Sequence, residues 1–438
     1  MTQVLDTAPS AMQPWPGPSG RPRLDVRAWL RRCCAFAGPG CMVAVGYMDP
    51  GNWATSIAGG SRYGEALLAV VIASSLMAML FQAAAVRLGL AGGADLAQAC
   101  RRHFGRRTSL ALWLFSEIAI VACNLAEVLG MAIGLNLLFG LPMFAGVCVT
   151  VADVLLVLAL QARGFRRVEA VVAVLVAAIT ACFVAQLAWA RPSLGAILHG
   201  LALAPRVVAD PQMLYLAVGI VGATVMPHNL YLHSSIVRTR AGAGDAASVR
   251  SAIRWSTVDS TLALGVALFV NAAILLVAAA AFHRPGQPEV TELSDAYRLI
   301  SPTLGVALAG TVFGIGLLAS GLSASITGTL AGQVVMEGFM DIRLSPARRA
   351  LLTRGLAIGP AALATAWFGA QGASSLLVFS QVVLSLQLPF ALVPLLMFTT
   401  RRRHLGVHAF GRAATLTLWA AAAVVICMNG WLLARLFA

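Results

Sequence analysis

Gly46-Tyr47-Met48-Asp49-Pro50-Gly51-Asn52-Trp53 lies inside an apolar run that extends from about residue 34 to residue 60. A carboxylate is costly in such surroundings, and an acidic residue there marks a functional position. Pro50 removes a backbone donor and clashes with the preceding turn, while Gly51 offers no Cβ to resist unwinding. The run therefore reads as two half-helices. At the break between them, Asp49 and Asn52 supply side-chain oxygens and the unwound backbone supplies carbonyls.

A second break repeats the pattern in Gly219-Ile220-Val221-Gly222-Ala223-Thr224-Val225-Met226-Pro227-His228-Asn229. Met226 directly precedes Pro227, as Asp49 precedes Pro50. Paired interruptions in two halves of a polytopic chain point to a transporter's substrate site. Carboxylate, amide and carbonyl oxygens beside a thioether suit Mn²⁺, Fe²⁺ or Cd²⁺ better than Mg²⁺ or Ca²⁺.

The rest of the chain supports a membrane reading. Of its 438 residues, 59% are hydrophobic and 11% are charged, against about 25% charged in soluble domains. Eleven apolar runs are expected as helices, at about 34–60, 64–90, 108–139, 142–162, 168–190, 212–236, 257–282, 303–336, 347–368, 374–398 and 412–436. They are too long and too uniformly apolar for barrel strands, so the fold class is an all-α polytopic membrane protein. With breaks in spans one and six, residues 34–190 and 212–398 form two five-helix repeats of opposite orientation, and 412–436 is an eleventh helix. Residues 1–33, with Pro14, Pro16, Pro18 and Pro22, read as a disordered cytoplasmic tail.

All 31 basic residues are Arg, and 24 of them fall on alternate connections, among them Arg343, Arg348, Arg349 and Arg354. Basic loops face the cytoplasm, which puts the N-terminus inside and, after an odd number of spans, the C-terminus outside. The net charge of +14 is spread over loops, so lipid rather than nucleic acid is the expected neighbour. A chain without Lys has no Walker lysine and no Schiff base. There is also no HExxH pair, GxSxG turn or Ser–Lys dyad, so an intramembrane enzyme is disfavoured and no resident cofactor is expected. The eight cysteines show no CxxC spacing and read as small buried apolar residues.

On span three, Glu117, Asn124 and Glu127 fall within about 60° of one helix face, a layout suited to proton movement. Asp153 is a further intramembrane acid with no evident role, and the deep charges Asp49, Glu117, Glu127 and Asp153 are all negative.

Asp49-Pro50-Gly51-Asn52, together with Met226-Pro227-His228-Asn229-Leu230-Tyr231-Leu232-His233-Ser234, resembles the two signatures of the Nramp family of proton-coupled divalent metal transporters, with the bacterial manganese importers the nearest branch. The resemblance runs from about residue 34 to the C-terminus. It implies the inverted-repeat fold of the sodium-coupled amino-acid transporters. It also implies metal binding by Asp49, Asn52 and Met226 and by the carbonyls of Gly46 and Ala223, with Gln381 and Thr224 as further candidates. Gly46 stands where the family often has Ala, which a carbonyl ligand survives.

For protons, the resemblance implies Asp49, Glu127 and His228, with Glu117 on the same face, and Arg240, Arg348 and Arg349 along the exit. Positive-inside anchoring explains those three arginines equally well, and His228 also suits a half-helix cap or a cross-bond to span three; His233 reads as structural. Asn124 replaces the family's usual Asp and cannot exchange a proton, so metal transport is expected with altered proton coupling. The expected protein is a monomeric importer of Mn²⁺, with Fe²⁺ as a second substrate, in a bacterial plasma membrane. An amino-acid carrier of the same architecture competes with this reading, but Asp49 would repel an anionic ligand and Met226 would have no task.

Overall fold

The computed structural model describes residues 38–241, 245–284, 288–341, 345–368 and 373–437. The expected 1–33 tail lies outside them. The described residues contain helices and turns but no strand. The helices are α1 Pro39–Gly46, α2 Pro50–Tyr63, α3 Leu68–Ala91, α4 Leu96–His103, α5 Arg106–Phe139, α6 Met143–Val149, α7 Val151–Ala162, α8 Phe165–Ala190 and α9 Leu194–Ala202. They continue with α10 Pro211–Val225, α11 Pro227–Ile236, α12 Ala246–Phe282, α13 Leu293–Leu304, α14 Ala309–Met340, α15 Pro346–Phe368, α16 Ala373–Thr400 and α17 Arg412–Phe437.

Both expected breaks are present. α1 gives way to α2 across Tyr47–Asp49, and α10 gives way to α11 at Met226, with a proline opening each second half. Nine helical stretches among the described residues are long and apolar enough to cross a bilayer, against the eleven expected. Pro50–Ala91 counts once among them although a 3₁₀ turn at Gly64–Leu67 divides it, and α15 is outside that set.

Some boundaries also differ. The seventh run starts at Ala246 rather than about 257, because Asp245 accepts hydrogen bonds from the amides of Ala247 and Ser248 and caps the helix early. The run expected at 303–336 is α14, which begins at Ala309, and residues 303 and 304 instead end a separate helix, α13. The fourth run is divided at Thr150, whose hydroxyl donates to the Val147 carbonyl at 2.7 Å.

Large apolar side chains such as Leu155, Val174 and Leu262 point outward, while Asp49, Asn52, Glu127, His228 and Gln381 are buried. This inversion of a soluble protein's pattern suits a hydrocarbon environment. At the centre, α5 packs along α14, whose Gly- and Ser-rich face permits close approach. A Cβ at Gly328 would lie 2.5 Å from Glu127 Oε1 and 3.2 Å from Asn124 Oδ1. Gly328 thus brings the backbone of α14 directly against the polar face of α5.

Candidate substrate site at the two helix breaks

Asp49 leaves the helical region with φ −65° and ψ 162° and acts as N-cap of α2. Its Oδ1 accepts from the Asn52 backbone amide at 3.0 Å and from Asn52 Nδ2 at 2.8 Å. Asn52 Nδ2 also donates to the carbonyl of Ala223 at 2.8 Å, which joins the two breaks. Gln381 of α16 approaches from a third side, its Nε2 lying 3.4 Å from Asp49 Oδ2. Met226 has φ 30° and ψ 102°, a left-handed conformation that costs a residue with a Cβ about 1–3 kcal/mol and is typical of functional positions.

The carbonyls around the first break are used in different ways. Tyr47 O accepts from Asn271 Nδ2 at 2.7 Å, and Met48 O accepts from Ser320 Oγ at 2.5 Å and Trp53 Nε1 at 3.2 Å. Gly46 O accepts the Asp49 amide at 3.3 Å, and Asn229 Nδ2 lies 3.5 Å from Met226 Sδ. A Cβ at Gly46 would collide with the Asn229 amide and lie 3.2 Å from Met226 Sδ. The glycine lets the thioether and the first break meet closely.

The site is sealed from solvent: Asp49, Met226 and Gln381 are 0% exposed and Asn52 is 1% exposed. On one side, Trp53 packs edge-on against Phe183 and Phe313 at 4.6 and 5.2 Å. Around Tyr47, Gln82 Nε2 donates to the hydroxyl at 2.7 Å, and Gln82 Oε1 lies 2.9 Å from His233 Nδ1. His233 thus joins α11 to α3 through Gln82. The Thr224 hydroxyl donates to Ile220 O at 2.6 Å within its own helix. Gln381 Oε1 and Asn229 Oδ1 are buried without a hydrogen-bond partner, so acceptor capacity is left over in the site. No three His, Cys, Asp or Glu side chains cluster as a metal-ion site among the described residues. The donors here are instead one carboxylate, amides, carbonyls and a thioether.

A polar chain leads away from His228, which follows Pro227. His228 Nε2 lies 3.5 Å from Cys123 Sγ, and that thiol donates to Glu127 Oε1 at 3.4 Å. Arg354 then bridges two acids, with Nη1 donating to Glu127 Oε2 at 3.1 Å and Nη2 to Asp153 Oδ2 at 2.7 Å. Ser325 Oγ also donates to Asp153 Oδ2 at 2.5 Å. Arg354 is 1% exposed, which corrects two expectations. It is not a loop arginine, because α15 begins at Pro346 and places it two turns inside a helix, and the deep charges are not all negative.

Cys123 was expected as an inert small residue, yet it bridges His228 and Glu127; its spacing of four from Glu127 was the available signal. Asn124 is 1% exposed, and neither its Oδ1 nor its Nδ2 has a partner. Glu117 departs from the expected interior position: it is half-buried and accepts from Trp113 Nε1 at 3.0 Å, about 15 Å along the helix from Glu127. Arg240 pairs with Glu169 at 2.7 Å, Arg348 is exposed, and the side chain of Arg349 lies outside the described residues. The structure therefore does not bring Arg240 or Arg348 to Glu127; Arg354 takes that place.

Comparison with known proteins adds four findings. Residues 40–435 match the family model described as natural resistance-associated macrophage protein-like, Nramp. The chain is 53% identical over 406 residues to the divalent metal cation transporter MntH of Bradyrhizobium diazoefficiens, covering 93% of this chain and 90% of that one. A crystal structure of the Eremococcus coleocola manganese transporter superposes with a TM-score of 0.84 at 36% identity, over 94% of this chain and 87% of that one. The fold extends further: MhsT in complex with L-phenylalanine matches with a TM-score of 0.60 at 15% identity, over 89% of this chain and 98% of that one.

Proposed function

The chain belongs to the Nramp family, and from that premise we propose that it imports a divalent transition-metal ion, Mn²⁺ with Fe²⁺ and Cd²⁺ as further substrates, by alternating access. One observation carries the reading: Asp49, Asn52, Ala223 O, Met226 and Gln381 come together, buried, where the two helix breaks face each other. The Asn52 NH₂ lies between Asp49 Oδ1 and Ala223 O, where a cation would be attracted. Rotating that amide by half a turn presents Oδ1 in its place and frees both acceptors. A hard oxygen set with one thioether suits Mn²⁺ and Fe²⁺, and the sulfur disfavours Mg²⁺ and Ca²⁺. The names of the relatives, a divalent metal cation transporter and a manganese transporter, agree with this chemistry.

Metal entry displaces a proton from Asp49, and the route for protons runs past His228, Cys123 and Glu127. Arg354 pairs with Glu127 at 3.1 Å, and Asn124 offers no exchangeable proton beside it, so the coupling differs from that of a chain with Asp there. Tilting of the half-helices α1 and α11 exposes the site to either side in turn. Eleven crossings result if α1 with α2 forms one span, α3 another and α15 a third beside the remaining eight. The N-terminus then faces the cytoplasm, the C-terminus lies outside the plasma membrane, and a monomer is sufficient because every group in the site comes from one chain.

Uptake of ⁵⁴Mn²⁺ into proteoliposomes across a pH gradient tests the proposal. Asp49→Ala is expected to reduce uptake to that of protein-free vesicles. Uptake at the wild-type rate would overturn the assignment of the site.

A further inference from the structure

The geometry points to a binding site for the phosphate of an anionic phospholipid between the end of α16 and the start of α17. A cavity of about 680 Å³ opens there, and Arg402, Phe410, Gly411, Arg412, Leu416 and Trp419 line it. It is far in sequence from both helix breaks and shares no residue with the substrate site.

The cavity is built rather than incidental. The Phe410 amide returns to donate to Thr399 O at 3.1 Å, which closes the connection onto the end of α16. From α3, the Arg87 guanidinium lies 3.9 Å over the Phe410 ring and donates to His408 O at 3.1 Å. On the other side of the connection, His404 packs edge-on against Phe398 at 5.4 Å. These contacts fix the backbone that carries the two arginines.

Charge identifies the ligand's head. Arg402 and Arg412 are both exposed, and no carboxylate among the described residues lies within ion-pair distance of either. Both line the cavity with Gly411, and Arg412 opens α17, so an anion there meets two guanidinium groups beside the start of a helix. Arg401 and Arg403 add to the positive field of the same connection.

The apolar wall identifies the remainder. Arg412, Leu416 and Trp419 are spaced four and three residues apart and share one face of α17. Leu416 is 73% exposed and Trp419 is half-buried, so the face changes from basic to apolar within two turns. A free phosphate would use only the arginines. A phospholipid uses both parts, its phosphate on Arg402 and Arg412 and its acyl chain along Leu416, with Trp419 at the polar boundary where such rings concentrate.

Native mass spectrometry of the full chain, titrated with phosphatidylglycerol or phosphatidylcholine, tests the site. One phosphatidylglycerol is expected to be retained more tightly than any phosphatidylcholine. The double variant R402Q/R412Q should lose roughly 30-fold in that affinity, about fivefold per arginine, and R402K/R412K should keep most of it. The control R250Q/R348Q, which removes two exposed arginines elsewhere, should bind as wild type. Equal retention by R402Q/R412Q, equal loss in the control, or displacement by excess inorganic phosphate would each overturn the proposal. If R402Q/R412Q does not fold, thermal unfolding of the wild type decides: phosphatidylglycerol should raise the midpoint and phosphatidylcholine should not, and equal shifts would overturn it.

Discussion

Replacing Arg354 by Met removes the cation from between two buried carboxylates. Its Nη1 and Nη2 sit 3.1 and 2.7 Å from Glu127 and Asp153, which are 0% and 8% exposed. Among the described residues, Arg354 is the one cation facing both carboxylates; without it, they must either hold unpaired charge out of water or take up protons, and both outcomes cost stability. Removing one partner of a buried pair costs about 3–5 kcal/mol, because the remaining charge stays desolvated. The expected loss for Arg354→Met lies at the upper end of that range, since two carboxylates lose their counter-charge. Adding Asp153→Asn should recover part of it, and adding Glu127→Gln as well should recover more than half. Denaturant unfolding of the purified protein in mixed micelles, read by tryptophan fluorescence, measures each step. A loss below about 1 kcal/mol for Arg354→Met, the value of a solvated surface pair, would refute the reasoning, as would additive rather than compensating losses in the combined variants.

Three further outcomes are expected. Met226→Ala should improve competition by Ca²⁺ or Mg²⁺ against Mn²⁺ uptake by roughly tenfold, about 1.4 kcal/mol; unchanged selectivity would remove the thioether from the argument. Asn124→Asp should increase metal-stimulated acidification of liposomes over wild type, and equal proton flux in the two proteins would show that position 124 does not set coupling. Asp95, the N-cap of α4, lies outside the membrane spans, and burial pushes its carboxyl up to about 6 while bonds from the Gln98 amide and the charge of Arg238 oppose the shift. Its folded-state value is above the unfolded one, so its contribution to stability is present below about pH 4 and is lost as pH rises through about 6. The wild type should therefore lose on the order of 2 kcal/mol relative to Asp95→Asn between those limits, and parallel pH profiles for the two proteins would contradict it.

The features visible in the sequence are those with a local cause. Pro50 and Pro227 break helices by their own chemistry, and Asp49 is conspicuous because ionisable groups rarely sit in apolar runs. The fold class followed from the same runs. The division at Thr150 had no such marker, since Val149-Thr150-Val151 reads as continuous apolar chain.

Arg354 was misplaced because nearness to Arg348 and Arg349 suggested a loop, whereas burial depends on where α15 begins and which helices meet it. The pairing of Gln82 with Tyr47 and His233 joins residues 35 and 151 positions apart, and no periodicity within one helix encodes it. The same holds for Asp153, whose partner lies 201 positions away.

The Asn52 amide bears on the half of the cycle that carries no cargo. A carrier that has released its ion must reset before it can take another, and bare acceptors facing one another across a dry pocket would repel and admit water. Here an NH₂ group spans Asp49 and Ala223 at 2.8 Å each, and in the proposed cycle it would act as a neutral internal stand-in for the cation. Asp49 Oδ1 and Ala223 O would then keep a partner from the chain itself during the return stroke, when no ion bridges them.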